Sequence, residues 1–260
     1  MKNMFNYAKK KIIKSKVHNS PYPFIFIRNL IEKDDLKDLN SCLPSFNSIS
    51  GNDVLYQSKS KTKKTILPSS NNFKKLFKEK KLKETSSLFE KLKPIIIQKF
   101  SKQIKLFVKK KFSPQSLKYH LSYSVMKSGY KKSPHLDRRD HLIHMIFYPS
   151  SQASKGGEIG IYKLKKKKKE SFDVFPSLKS LEMQKKYKVF DNSLIIILNV
   201  PWAYHSVTKY KSKKDRKYFY MVYDFPIKKS GSVVKNRKIG FNSWTWNNNC
   251  WKQKRLQNIC

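Results

Sequence analysis

The sequence predicts an antiparallel β-sandwich or barrel with helical support at its N-terminal side, and three observations carry this. First, from residue 116 onward short alternating or apolar runs follow one another with turns between them and no helical pattern. Second, before residue 112 apolar residues recur at three and four, the period of a helix packed on something flat. Third, at 260 residues the chain suffices for one sizeable core.

In chain order, residues 1–20 read as a flexible basic tail. Residues 21–112 form the helical support. They open on PYPFIFIRNL, a strand leading into a helix that starts near Lys33-Asp34-Asp35 and carries Leu36, Leu39 and Leu43. Residues 47–70 are rich in Ser, Lys and Asn and read as a loop. A helical stretch over 71–111 follows, broken or restarted at Lys93-Pro94, with Ile97, Phe100, Ile104, Phe107 and Val108 as its stripe. The core spans 113–227, with strands expected at 118–126, 142–148, 158–164, 187–190, 194–198, 204–209 and 217–225. Residues 228–260 form a Lys/Asn-rich extension bearing Trp244, Trp246 and Trp251, expected to pack on the core through its indoles.

Composition excludes several functions. The net charge is +41, but six of the 58 basic residues are Arg and the rest are Lys, spread through every segment. Nucleic-acid readers rely on arginine forks, so the charge implies no more than non-specific attraction to polyanions. The dense cluster at Lys163 and 165–169 reads as a solvated loop. No window is long and apolar enough to span a membrane, and the N-terminus lacks the pattern of a signal peptide. Cys42, Cys250 and Cys260 are an odd number without a CxxC pair, which suits a reducing compartment. A cytoplasmic protein is the expectation.

The chemistry is concentrated in His135-Leu136-Asp137, answered by His205 seventy positions later. In an extended segment residues i and i+2 point the same way, so His135 and Asp137 face one point while Leu136 turns away. With His205 from a returning strand they make two imidazoles and a carboxylate, the facial set of a non-haem Fe(II) site. Gly156-Gly157 supplies positive φ at the turn before the next strand. Arg216 opens the final strand eleven residues past His205.

With these motifs in this order, residues 119–226 resemble the 2-oxoglutarate- and Fe(II)-dependent dioxygenases of the prolyl-4-hydroxylase-like superfamily. The resemblance rests on SPHLDRRDHLIHMIFYPS, GGEIGIY, NSLIIILNVPWAYHSVTKY and DRKYFYMVYDFP, and PYPFIFIRNLIEKDDLKDLN looks like the superfamily's opening strand and helix. It implies a double-stranded β-helix, the cupin-like jelly roll. It implies Fe(II) held by His135, Asp137 and His205, with 2-oxoglutarate as cosubstrate and O2 as oxidant. Arg216 would clamp the distal carboxylate of 2-oxoglutarate, and Tyr148 lies where many members place a hydroxyl on that carboxylate; as bland rivals, Arg216 is a strand-edge charge and Tyr148 core. Lys217 competes as the anchor, but alternation lets only one of the pair face inward, and Arg216 is preferred. His120, His141 and His144 take no role, although His144 shares a face with Tyr148.

Met126 departs from the pattern, because many members carry a cosubstrate-binding tyrosine there. Asp137 favours hydroxylation over halogenation, and the lack of a second arginine after Arg216 disfavours the nucleic-acid demethylase branch. The implied activity is hydroxylation of an unidentified small-molecule or protein substrate, with release of succinate and CO2. Desaturation or epimerisation would use the same site. The rival class is a basic nucleic-acid-associated binding protein on a degenerate oxygenase fold. Oligomeric state is not legible.

Overall fold

A computed structural model describes residues 2–49, 61–66, 71–76, 78–108, 112–138, 141–151, 155–165, 171–225 and 243–245. The described elements run α1 (Lys2–Lys14), β1 (Phe24–Arg28), α2 (Lys33–Ser41), β2 (Lys63–Ile66), α3 (Asn71–Leu76), α4 (Lys80–Lys99), α5 (Ser101–Phe107) and β3 (Lys118–Met126). Then come β4 (Lys132–His135), β5 (His141–Ser150), β6 (Ile159–Leu164), β7 (Ser171–Asp173), β8 (Leu181–Tyr187), β9 (Ser193–Leu198), β10 (His205–Val207), β11 (Arg216–Asp224) and β12 (Ser243–Thr245).

Two antiparallel sheets hold the core. The larger has the order β1-β9-β5-β11-β3-β2, the smaller β4-β10-β6-β8, and β7 pairs with β12 apart from both. Setting aside β1, β2, β7 and β12, the eight remaining strands divide between the two sheets in the order of a jelly roll. The first, eighth, third and sixth lie in one sheet, and the second, seventh, fourth and fifth in the other. This is the expected fold.

The larger sheet has two different faces. Phe147 and Phe219 stack, and Phe147 meets Phe89 of α4, so this face packs on the helices. Tyr223 shares it and donates its hydroxyl hydrogen to Phe89 O at 2.6 Å. The alternate residues His144, Tyr148, Tyr218 and Tyr220 turn the other way, toward the smaller sheet. β9 (SLIIIL) is buried along its whole length, because it lies between β1 and β5 with both faces covered.

Four expectations need correction. Residues 2–14 are not a loose tail but a helix, whose Met4, Ala8 and Ile12 are buried at helical spacing with α1 packed on α4. The 47–70 segment contains β2, which pairs with β3. Pro94 does not break its helix; α4 runs through it, and the break comes at Phe100. Leu92, Lys93, Ile96 and Ile97 are buried around the proline, and this packing offsets the one hydrogen bond that proline removes. The strand expected at 187–190 lies earlier, as β8, ending at Tyr187. Residues 166–169, Trp246 and Trp251 lie outside the described residues. Among the described residues no helix is long and apolar enough to cross a membrane.

Candidate metal centre

β4 and β10 lie side by side, and His135 and His205 are direct cross-strand partners. That pairing brings the two imidazole centroids to 4.3 Å. Asp137 follows two residues after the end of β4. Leu136 between them is buried, and its amide donates to Val174 O at 2.9 Å, which fixes the backbone that swings Asp137 inward. The His135 and His205 Nε2 atoms each stand 3.6 Å from an oxygen of the Asp137 carboxylate. One donor atom from each of the three residues lies within 4.8 Å of the others.

The tautomers are fixed by the backbone. His135 Nδ1 is 2.9 Å from Ser133 O, and His205 Nδ1 is 3.0 Å from Ala203 O. A carbonyl oxygen can only accept, so each Nδ1 carries the proton and each Nε2 presents a lone pair to the centre. Burial, with Lys132 and His205 nearby, presses the His135 pKa down to about 3. Burial also lowers His205. For Asp137 burial acts upward, but the surrounding His144, His205 and His135 together act downward and prevail, holding the carboxyl well below its usual range. Two neutral imidazoles and one carboxylate at neutral pH are what a divalent ion requires. Among the described residues, these are the only such group of three or more His, Cys, Asp or Glu.

Arg216 and Tyr148 come together further along the interior, with the guanidinium carbon 5.8 Å from the Tyr148 ring and 4.4 Å from that of Tyr210. Arg216 is fully buried. Its Nε donates to Ser151 O at 2.8 Å, Nη1 to Gly157 O at 2.5 Å and Nη2 to Gly156 O at 2.8 Å. Three of a guanidinium's five N–H groups are thereby committed to the chain's own backbone, leaving two. Gly156 and Gly157 have φ of +76° and +74°, as their position before a strand suggested. A Cβ on Gly157 would come within 2.2 Å of Arg216 Nη1, so this turn admits the guanidinium only as glycine. Lys217 lies on the opposite face and donates to Leu43 O at 2.7 Å, beneath the helices. Burial raises the Tyr148 pKa, and Arg216 opposes the rise.

Three residues to which the sequence assigned no role stand at the centre. His144 has no exposed surface, and its Nδ1 is 3.0 Å from Asp137 Oδ2. Tyr220 stacks on His144 at 6.2 Å. Burial, then the Asp137 charge and a hydrogen bond to it, raise the Tyr220 pKa well above the usual value. Lys132, on β4, is held below the usual lysine range by burial, with Asp137 opposing. The alternation that puts His144 and Tyr148 on one face is visible in the sequence; the closeness of His144 to Asp137 across two sheets is not.

No family model matches the chain, and no curated protein matches it by sequence. Solved structures do match. A prolyl-4-hydroxylase of Pseudomonas putida is 11% identical with a TM-score of 0.48, covering 85% of this chain and 99% of that one. A Trichoplax adhaerens prolyl hydroxylase, solved with a peptide fragment of the hypoxia-inducible factor oxygen degradation domain, is 11% identical with a TM-score of 0.47. It covers 86% of this chain and 90% of that one. A viral collagen prolyl hydroxylase of Paramecium Bursaria Chlorella virus-1, solved as a 2-oxoglutarate complex, is 12% identical with a TM-score of 0.41, covering 79% and 96%. The strand order and the metal-centre geometry, not these likenesses, carry the functional proposal.

Proposed function

We propose that the chain is an Fe(II)- and 2-oxoglutarate-dependent dioxygenase that hydroxylates a small-molecule or protein substrate. The observation that supports this best is the His135/Asp137/His205 set, with both imidazoles fixed as Nδ1–H tautomers by backbone carbonyls. These three residues would hold the iron, and Arg216 with Tyr148 would hold the distal carboxylate of 2-oxoglutarate. Bound there, iron and 2-oxoglutarate supply the oxidative decarboxylation that activates dioxygen for C–H hydroxylation, releasing succinate and CO2.

The chain's own residues set the conditions for that chemistry. His135 and His205 offer lone pairs without first losing a proton, because burial keeps both neutral. Asp137 brings the negative charge that partly neutralises a divalent ion. The two remaining N–H groups of Arg216 suit one carboxylate, and the three committed ones keep the fork from turning. Phe175, stacked on the His135 ring at 6.4 Å and 61% exposed, offers an apolar lip beside the centre. The lysine excess contributes only salt-sensitive attraction to polyanions.

The test is anaerobic loading with Fe(II) and 2-oxoglutarate, followed by oxygen. A weak visible charge-transfer band before oxygen and succinate after it are expected. Succinate formation that persists without iron, or none with it under any substrate pool, would sink the reading.

A further inference from the structure

A bulge in β4 decides where Lys132 points. Between the cross-strand pairs His135–His205 and Lys132–Val207, β4 advances three residues while β10 advances two. Strict alternation over three residues would turn Lys132 away from the face that His135 uses. The extra residue brings it back, as bulges beside functional sites do. Val207, opposite Lys132, packs on the core two residues past His205, so this is the inner face. Burial lowers the Lys132 pKa, the Asp137 charge opposes the shift, and Lys63 adds to it. Both ammonium groups therefore lie in the same region of the interior as the metal centre.

Lys63 arrives from the larger sheet. It pairs with Met126 of β3, whose other partner is Arg216, so the three stand in one row on one face. The Lys63 Nζ lies 5.6 Å from the Tyr218 ring centre and 5.8 Å from that of Tyr130. Tyr218 in turn lies 5.6 Å from Tyr148, the ring beside Arg216. Among the described residues, neither lysine pairs with a carboxylate. Glu158 and Asp191 ease the charge of Arg216. At Lys132 that part falls to Asp137, whose charge an ion at the centre would take up. A partly buried cation without a counter-ion is costly, and a bound anion removes the cost.

Cations at both ends of one interior suit an anion charged at both ends. We propose that Lys63 and Lys132 join Arg216 in binding a dicarboxylate, Lys63 and Arg216 taking the distal carboxylate and Lys132 the one at the Asp137 end. That the dicarboxylate is 2-oxoglutarate rests on the oxygenase reading; the dicarboxylate site itself does not.

The experiment titrates the metal-free full chain by calorimetry with succinate and with butyrate, which has the same carbon chain and one carboxylate. Succinate should bind more tightly. Lys63→Met and Lys132→Met keep an apolar stem and remove the charge, and each should weaken succinate at least about tenfold. Butyrate can use whichever end remains, so it should change less. Equal losses for both acids would mark a structural role and overturn the proposal. Unchanged succinate affinity in either folded variant overturns it as well. So does an unsubstituted chain without preference for succinate, a result that needs no variant to fold. A second titration, of 2-oxoglutarate into the Co(II)-loaded proteins, separates the two readings. If succinate behaves as expected but the Co(II) spectrum does not respond, the oxygenase reading falls and the dicarboxylate site stands. If the spectrum responds with equal affinity in all three proteins, the lysine roles fall and the oxygenase reading stands.

Discussion

The two ends of the jelly-roll interior treat polar groups in opposite ways. At the Arg216 end the protein satisfies itself: a buried guanidinium is held by the carbonyls of Ser151, Gly156 and Gly157 and lies against Tyr210 and Tyr148. At the other end His135 and His205 commit one nitrogen each to backbone and hold the other in reserve, while His144 commits neither. The first end is a hydrogen-bond network with two guanidinium N–H groups to spare, and it carries architecture as well as any ligand. The second presents two imidazole nitrogens and a carboxylate that a divalent ion would complete. Substitutions should therefore damage stability at the Arg216 end and metal affinity at the histidine end.

The largest effect is expected at Asp137. Replacing it with alanine should reduce iron-dependent succinate formation to background, while circular dichroism and the melting midpoint of the metal-free protein stay close to the unsubstituted chain. Turnover at the original rate would remove Asp137 from the centre. Next comes Arg216→Ala, which leaves three buried carbonyls without donors. Removing one partner of a buried charged network costs about 3–5 kcal/mol, so denaturant unfolding should show a loss of that order. A second readout, a raised 2-oxoglutarate requirement in whatever fraction folds, separates clamp from scaffold.

Gly157→Ala should follow, at about 2–4 kcal/mol, from positive-φ strain together with a methyl driven against the guanidinium. If it is neutral, the turn is less rigid than its φ of +74° requires. The smallest effect is expected at Lys217→Ala, about 1 kcal/mol for one partly buried hydrogen bond, with no change in cosubstrate requirement. A shifted requirement there would mean that the face presented by β11 is the wrong one.

Much of this was legible in the sequence, for identifiable reasons. The i, i+2 spacing of His135 and Asp137 survives even though Asp137 lies just past its strand, because Leu136 is pinned into the core. β9 and β11 announced themselves as apolar or alternating runs. Elements dense in lysine did not. In α1 the period of Met4, Ala8 and Ile12 was present but masked by lysines whose long stems can cover apolar surface. In β8 only the two ends, Leu181 and Tyr187, are not exposed. His144 failed to show for another reason. One strand's alternation says which face it uses, but meeting Asp137 depends on how two sheets close on each other, and no local pattern encodes that.

β4 has a further consequence. It is a four-residue strand at the end of the smaller sheet's order, contains Pro134, and joins β10 with a register shift between His205 and Val207. A strand so short and so irregularly paired is a natural place for fraying. Yet its last residue is one of the three proposed ligands and faces its cross-strand partner, so an ion there would act as a rivet across the pair, seventy residues apart in the chain. Stripping the metal with a chelator should release amide exchange and protease cutting first around β4, well before the larger sheet gives way.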